Sequence, residues 1–152
     1  MATTATTSTK TGACLCGAVR FEASKVPAEA GICHCDRCRR WTGVALMGVT
    51  VPTESIAWEG VEHIARIQSS EWAERAWCSK CGTNLFYRVT AENEWAGGTE
   101  IPVGLFDDPN GFALKNEIFI DQKPDTFGFT GDGRKEMTRA QCIALFSDLG
   151  TT

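Results

Sequence analysis

The sequence predicts an all-β fold of short antiparallel strands, stapled by metal and finished by one C-terminal helix. Three observations carry this. Apolar and polar residues alternate in short runs: Val19, Phe21 and Ala23 are offset by Arg20 and Glu22, and Leu85, Tyr87 and Val89 share one side. A period of two puts one face of a strand against a core. Turn residues recur at Pro27, Pro52, Gly60, Gly97-Gly98, Pro109-Asn110-Gly111 and Pro124, a spacing that suits consecutive strands better than βαβ units. Finally, seven of the eight cysteines fall into three clusters, Cys14 and Cys16, then Cys33, Cys35 and Cys38, then Cys78 and Cys81. Such clusters have metal-ligand spacing and can tie together strands distant in sequence.

Taken in order, residues 1–11 are almost all Ala, Thr and Ser, with a single Lys10, and read as a disordered tail with neither secretory nor presequence character. Beyond the alternating runs, strands are expected at 30–35, 45–51, 55–58, 63–69, 75–78, 100–105 and 117–120. The polar stretch 90–99, with Trp95, reads as a long exposed loop. Near the end, Thr138-Arg139-Ala140-Gln141 has capping-box form, Met137, Ala144, Leu145 and Leu149 recur at helical spacing, and Gly150 can close the helix. Its apolar stripe is expected to pack on the sheet. The organisation expected is thus a tail at 1–11, a zinc-binding domain at 12–130, and an extension at 131–152 carrying the helix.

With 152 residues, 43% of them hydrophobic and 22% charged, one core suffices. The longest apolar stretch, 44–51, is far short of a membrane span, and no presequence is evident, so a cytoplasmic location without membrane partners is expected. In a reducing compartment, cysteines at this density bind metal rather than form disulfides. A net charge of −4 and a pI near 5.2 argue against nucleic acid as a partner.

Cys16 and Cys81 are each followed by glycine, Gly17 and Gly82. Glycine accepts the positive φ that lets a tight turn wrap a metal and aim N–H groups at thiolate sulfur. The two turns read as matching halves, so Cys14, Cys16, Cys78 and Cys81 form a closed, structural zinc site. The middle cluster, Cys33, Cys35 and Cys38, supplies only three thiolates, and three protein ligands with an open position is the catalytic pattern for zinc. Three thiolates on Zn²⁺ leave a net charge of −1, which makes the metal a weak activator of water and suits it to a sulfur ligand. His34, between two cysteines of an extended segment, points away from them and reads as a satisfied polar or supporting residue. Cys142 reads as a small buried hydrophobe.

The stretches 14–21, 33–43 and 75–85, with Ser69-Ser70, Phe106-Asp107-Asp108-Pro109, Ile118-Phe119-Ile120 and Lys123-Pro124, resemble the glutathione-dependent formaldehyde-activating enzyme family, which also includes centromere protein V. The resemblance covers roughly residues 12–130. It implies a β-tent fold with two zinc positions, the first and last clusters holding a structural zinc and the middle cluster a catalytic one. An exposed three-thiolate site can lose zinc and oxidise, so the second zinc is expected to be the labile one. It also implies a carbon–sulfur lyase, of the S-hydroxymethylglutathione synthase type, with glutathione as co-substrate. The chain departs from the family at Asp125-Thr126-Phe127, where many members carry Trp or Tyr, and this alters one expected pocket wall.

Beside the open cluster, Arg37, Arg39 and Arg40 are candidates to hold the carboxylates of an anionic thiol. Arg39, Arg40, Trp41 and Ser70 are the expected substrate-binding residues. The reading is a zinc-dependent carbon–sulfur lyase acting on a thiol adduct of a small aldehyde or related electrophile, in which His34 or water moves the proton. The alternative is a non-catalytic zinc-stabilised module that binds a small thiol or a protein partner. Nothing in the sequence sets the oligomeric state.

Overall fold

Strand alternation builds two sheets around one shared core. The computed structural model describes residues 6–147. Its elements are β1 (Thr7–Ala13), β2 (Arg20–Pro27), β3 (Glu29–Cys33), α1 (Asp36–Thr42), β4 (Leu46–Pro52), β5 (Ile56–Glu59), β6 (Ile64–Gln68), β7 (Ala73–Cys78), β8 (Asn84–Val89), β9 (Gly98–Pro102), β10 (Ala113–Ile118), β11 (Lys135–Met137) and α2 (Arg139–Leu145). One sheet has the order β1-β2-β5, the other β11-β10-β3-β4-β9-β8-β7-β6. Neighbours are antiparallel except β10, which pairs parallel with both β3 and β11. Strand β11 therefore joins the extension beyond residue 130 to the main sheet.

The core fills the space between the sheets. Phe21, Ala23 and Val26 of β2 are buried with Val49 and Val51 of β4, Ile101 of β9 and Phe86 of β8. The inward positions on β2 change from odd to even because Ala23 faces Lys10 while Val26 faces Ser8, an extra residue that forms a bulge. Phe21 packs on Trp58 at 5.2 Å and edge-on against Phe106 at 5.5 Å, within the range of favourable aromatic pairs.

The second face of the large sheet does different work. Across the registered strands, Ile118, Cys33, Gly48, Thr50, Glu100, Tyr87 and Arg75 share this face and line a cavity of about 600 Å³. Residues from α1 and α2 also line it. One strand thus serves core and cavity with alternate residues.

Two expectations need correction. Residues 7–11, expected in a disordered tail, belong to β1, which pairs with β2. The strand has almost no apolar residues because it is a sheet edge whose one buried position is Gly12, so hydrophobic alternation could not reveal it. The strand expected at 30–35 ends at Cys33, and an unexpected helix, α1, begins at Asp36 with Cys38 as its buried residue. The C-terminal helix is present with its Thr138–Gln141 capping box, but Ala144 and Leu145 are exposed, and its buried residue is Cys142. Leu149 and Gly150 lie outside the described residues.

Gly60 adopts φ +76, and a Cβ there would overlap the Ala18 carbonyl oxygen. Gly60→Ala should lose about 1–3 kcal/mol from the backbone conformation alone, with more from the clash. A lowered urea midpoint at unchanged slope is the expected readout.

Candidate metal centres and cavity

The first and last cysteine clusters are brought together by two alike turns. Gly17 and Gly82 adopt φ +78 and +79, and their N–H groups donate to the Cys14 and Cys78 carbonyls at 3.1 and 2.8 Å. The Cys14 and Cys16 sulfurs are 3.7 Å apart, and those of Cys16 and Cys78 are 3.9 Å apart. Four thiolates around zinc at about 2.3 Å form a tetrahedron with edges of about 3.8 Å, so this donor set fits such a metal. The Val19 N–H donates to Cys14 Sγ at 3.3 Å. Thr83 bridges the turns, accepting from the Leu15 N–H at 3.0 Å and donating to Cys81 Sγ at 3.1 Å. Its hydroxyl, with its backbone, pulls the Cys81 thiol down to about 5. No pattern in the sequence marked Thr83, because its partners lie on another turn.

The sulfurs of Cys33, Cys35 and Cys38 lie within 4.8 Å of one another and could likewise hold a metal ion. Cys33 ends β3, and Cys35 caps α1 by accepting from the Cys38 N–H at 3.4 Å. The Cys35 thiol is pulled down to about 2, first by hydrogen bonds from the Cys33 and Cys38 thiols and then by backbone N–H groups, against the effect of burial. The same exchange with Cys35 and Cys38, with burial, pushes Cys33 well above its ordinary range. A lone buried trio thus retains protons that a divalent cation would displace. All three cysteines line the cavity, whereas Cys14, Cys16, Cys78 and Cys81 do not.

The expected substrate residues divide. Ser70 lines the cavity, as do Ser69 and Arg37, although the serines also form a turn, both N–H groups donating to the Ala73 carbonyl. Arg37 donates to the Ser69 carbonyl at 2.6 Å. Arg39, Arg40 and Trp41 do not line the cavity. They lie about a turn further along α1, and Trp41 packs against the guanidinium of Arg75 instead, at 4.8 Å.

His34 is fully buried and away from the cavity wall, so it is not placed to carry a substrate proton. Its Nε2 donates to Glu117 Oε1 at 2.8 Å, and Arg134 Nε donates to Glu117 Oε2 at 2.5 Å. Cys142 lines the cavity but belongs to neither cluster. Its sulfur accepts from the Phe119 N–H at 3.4 Å, and burial pushes the thiol up.

Two cavity residues were not singled out from the sequence. Arg75, 6% exposed, donates through Nη2 to Cys38 Sγ at 3.6 Å. Glu100 accepts from the Thr50 hydroxyl at 2.6 Å, and burial pushes its carboxyl up against that bond. Among the described residues, no helix is long and apolar enough to cross a membrane.

The arrangement has relatives. A family model described as glutathione-dependent formaldehyde-activating enzyme matches residues 9–122. A Schizosaccharomyces pombe protein named uncharacterized lyase C29B12.13 is 30% identical over 119 residues, which are 78% of this chain and 83% of the relative. A crystal structure of a Rhodobacter sphaeroides protein is similar in fold, with a TM-score of 0.55 at 24% identity, covering 66% of this chain and 90% of that one. With all three cysteine clusters inside the matched residues, the chain belongs to the glutathione-dependent formaldehyde-activating enzyme family.

Proposed function

We propose that this protein is a zinc-dependent carbon–sulfur lyase acting on the adduct of a thiol, glutathione foremost, with a small aldehyde such as formaldehyde. The observation that carries this reading is the asymmetry of the two clusters. The three-cysteine trio opens on a cavity of about 600 Å³, a volume typical of small-molecule sites, while the four-cysteine cluster lies apart from it. The family's description and the lyase name of the relative support the reaction class.

Cys14, Cys16, Cys78 and Cys81 would hold a structural zinc, and Cys33, Cys35 and Cys38 a second, more labile one. Zinc in the trio would supply a Lewis acid that favours the substrate sulfur as thiolate. The chain's own groups supply recognition. Arg37, Lys115, Lys135 and Arg139 line the cavity and would meet the carboxylates of an anionic thiol. Glu100 would accept a ligand ammonium. Ser70 would contribute a hydroxyl at the wall. Tyr87, whose phenol burial pushes up to about 12, stays protonated at neutral pH.

Cys35→Ser tests this reading. The variant should stay folded, fall from two bound zincs to one, and lose both glutathione binding and the catalysed exchange of formaldehyde with glutathione. Metal content, calorimetric titration and exchange NMR give the three readouts. Two metals with undiminished glutathione binding in the variant would overturn the proposal.

A further inference from the structure

A buried arginine beside a sulfur cluster has a further role open to it. Arg75 belongs to β7 and faces Tyr87 across the sheet. Its guanidinium lies between two rings, 4.8 Å from the Trp41 centroid and 4.9 Å from that of Tyr87. Stacking of this kind fixes a planar cation. Nη2 is committed to Cys38 Sγ at 3.6 Å. Nη1 is buried, and among the described residues it has no hydrogen-bond partner. Arg75 nevertheless lines the cavity.

Charge balance alone does not account for this. A cation next to thiolates offsets their charge without needing a second, unengaged N–H group held in place by two aromatic rings. A buried charged donor left without a partner is uncommon and calls for an explanation, of which a catalytic role is one. The Tyr87 phenol is neutral at neutral pH, whereas Arg75 brings a charged donor to the trio, and charge-assisted hydrogen bonds are the stronger kind.

Resting on the lyase reading above, we propose that Arg75 is a catalytic residue whose Nη1 donates to the aldehyde oxygen of the adduct while Nη2 holds the Cys38 sulfur. In cleavage, the hydroxyl proton of the adduct passes to water, the oxygen electron pair closes the C=O bond, the C–S bond breaks, and its electron pair leaves on sulfur as thiolate. In the reverse direction the thiolate pair forms the C–S bond, the C=O π pair moves onto oxygen, and water returns the proton. The oxygen carries negative charge between these events in both directions. A fixed donor at that atom acts where the charge develops. The fork lets one side chain serve a cluster sulfur and an oxygen one carbon away from a substrate sulfur.

The test uses Arg75→Met and Arg75→Lys with three probes: glutathione, S-acetylglutathione and S-ethylglutathione. The last two differ by one oxygen at the position of the reacting oxygen. By calorimetry the wild-type protein should bind the acetyl probe about tenfold tighter than the ethyl probe. Both variants should lose that preference while keeping glutathione binding and two metals, and formaldehyde exchange should slow by about 10²–10³ in kcat with KM little changed. Retention of the oxygen preference or of the exchange rate in Arg75→Met overturns the proposal. So does full recovery in Arg75→Lys, which keeps the charge without the fork. Loss of metal from both variants would make Arg75 a structural cation and overturn it too. Should wild-type protein bind none of the probes and catalyse no exchange, the lyase reading itself falls.

Discussion

Cys16→Ser should abolish cooperative folding at neutral pH, although Cys16 is exposed and contributes nothing to the core. Substitutions at such positions ordinarily change stability by no more than about 0.5 kcal/mol. The expected loss is that of the zinc proposed for this cluster: in small zinc-folded peptides binding contributes on the order of 10 kcal/mol, comparable to the whole stability of a typical domain. The four-cysteine cluster joins the turn before β2 to the turn after β7, elements in different sheets. Removing one ligand should release the β1-β2-β5 sheet from the large one. The expected result is a chain with one zinc or none, no sigmoidal urea transition and no dispersed NMR spectrum. Cys35→Ser, altered in the other cluster, should keep one zinc, the sigmoidal urea transition and the dispersed spectrum. A folded Cys16→Ser protein with a midpoint near wild type would show that this cluster is no staple.

The pairing behind that prediction was legible because chemistry repeats locally: two cysteine turns, each ending in glycine, announce the same backbone conformation wherever the chain takes them. The core strands were legible for a similar reason, since Phe21 and Ala23, or Val49 and Val51, carry the alternation of a buried face. Helix α1 was not. Its cap is Cys35, outside the usual Ser, Thr, Asp and Asn set, and its seven residues are too few for a periodic stripe. With no helix expected after Cys35, Arg39, Arg40 and Trp41 read as neighbours of the open cluster, whereas the helix carries them off the cavity wall. Arg75 and Glu100 were hidden by another effect. A charged residue in an alternating strand reads as solvent-facing, yet this sheet has no solvent face at those positions, because α1, α2 and the cavity cover it.

Glu117 presents the same problem, and its replacement has the second largest expected effect. It is 2% exposed, and its carboxylate takes hydrogen bonds from His34 and Arg134. Arg134 is held in turn by the Phe129, Thr130 and Gly131 carbonyls. Glu117→Gln leaves that guanidinium facing a neutral amide. Breaking a buried pair by removing one partner costs about 3–5 kcal/mol, and urea unfolding should show it as a lowered midpoint.

The pH dependence identifies the cause. Burial would raise the Glu117 pKa, but the bonds from His34 and Arg134, with the Arg134 charge, outweigh it and hold the carboxyl below its ordinary value of 4.5. The folded chain therefore binds this proton less readily than the unfolded chain does. The stability it contributes is complete above that ordinary value and is lost as the pH falls through the depressed folded value. The gap between wild type and Glu117→Gln should be full at neutral pH and narrow progressively below about pH 4.5. Acid would also protonate the thiols and release a metal held by either cluster in both proteins, so the difference, rather than either curve, reports the carboxylate.

The consequence reaches the cavity, because the His34 N–H donates to the Ile118 carbonyl at 3.0 Å and His34 separates Cys33 from Cys35. Glu117 thus anchors, through one imidazole, the peptide that spaces two members of the trio. Glu117→Gln should release metal from the trio more readily under a chelator while the four-cysteine cluster keeps its own. Equal loss from both clusters would mean that the damage is global unfolding instead.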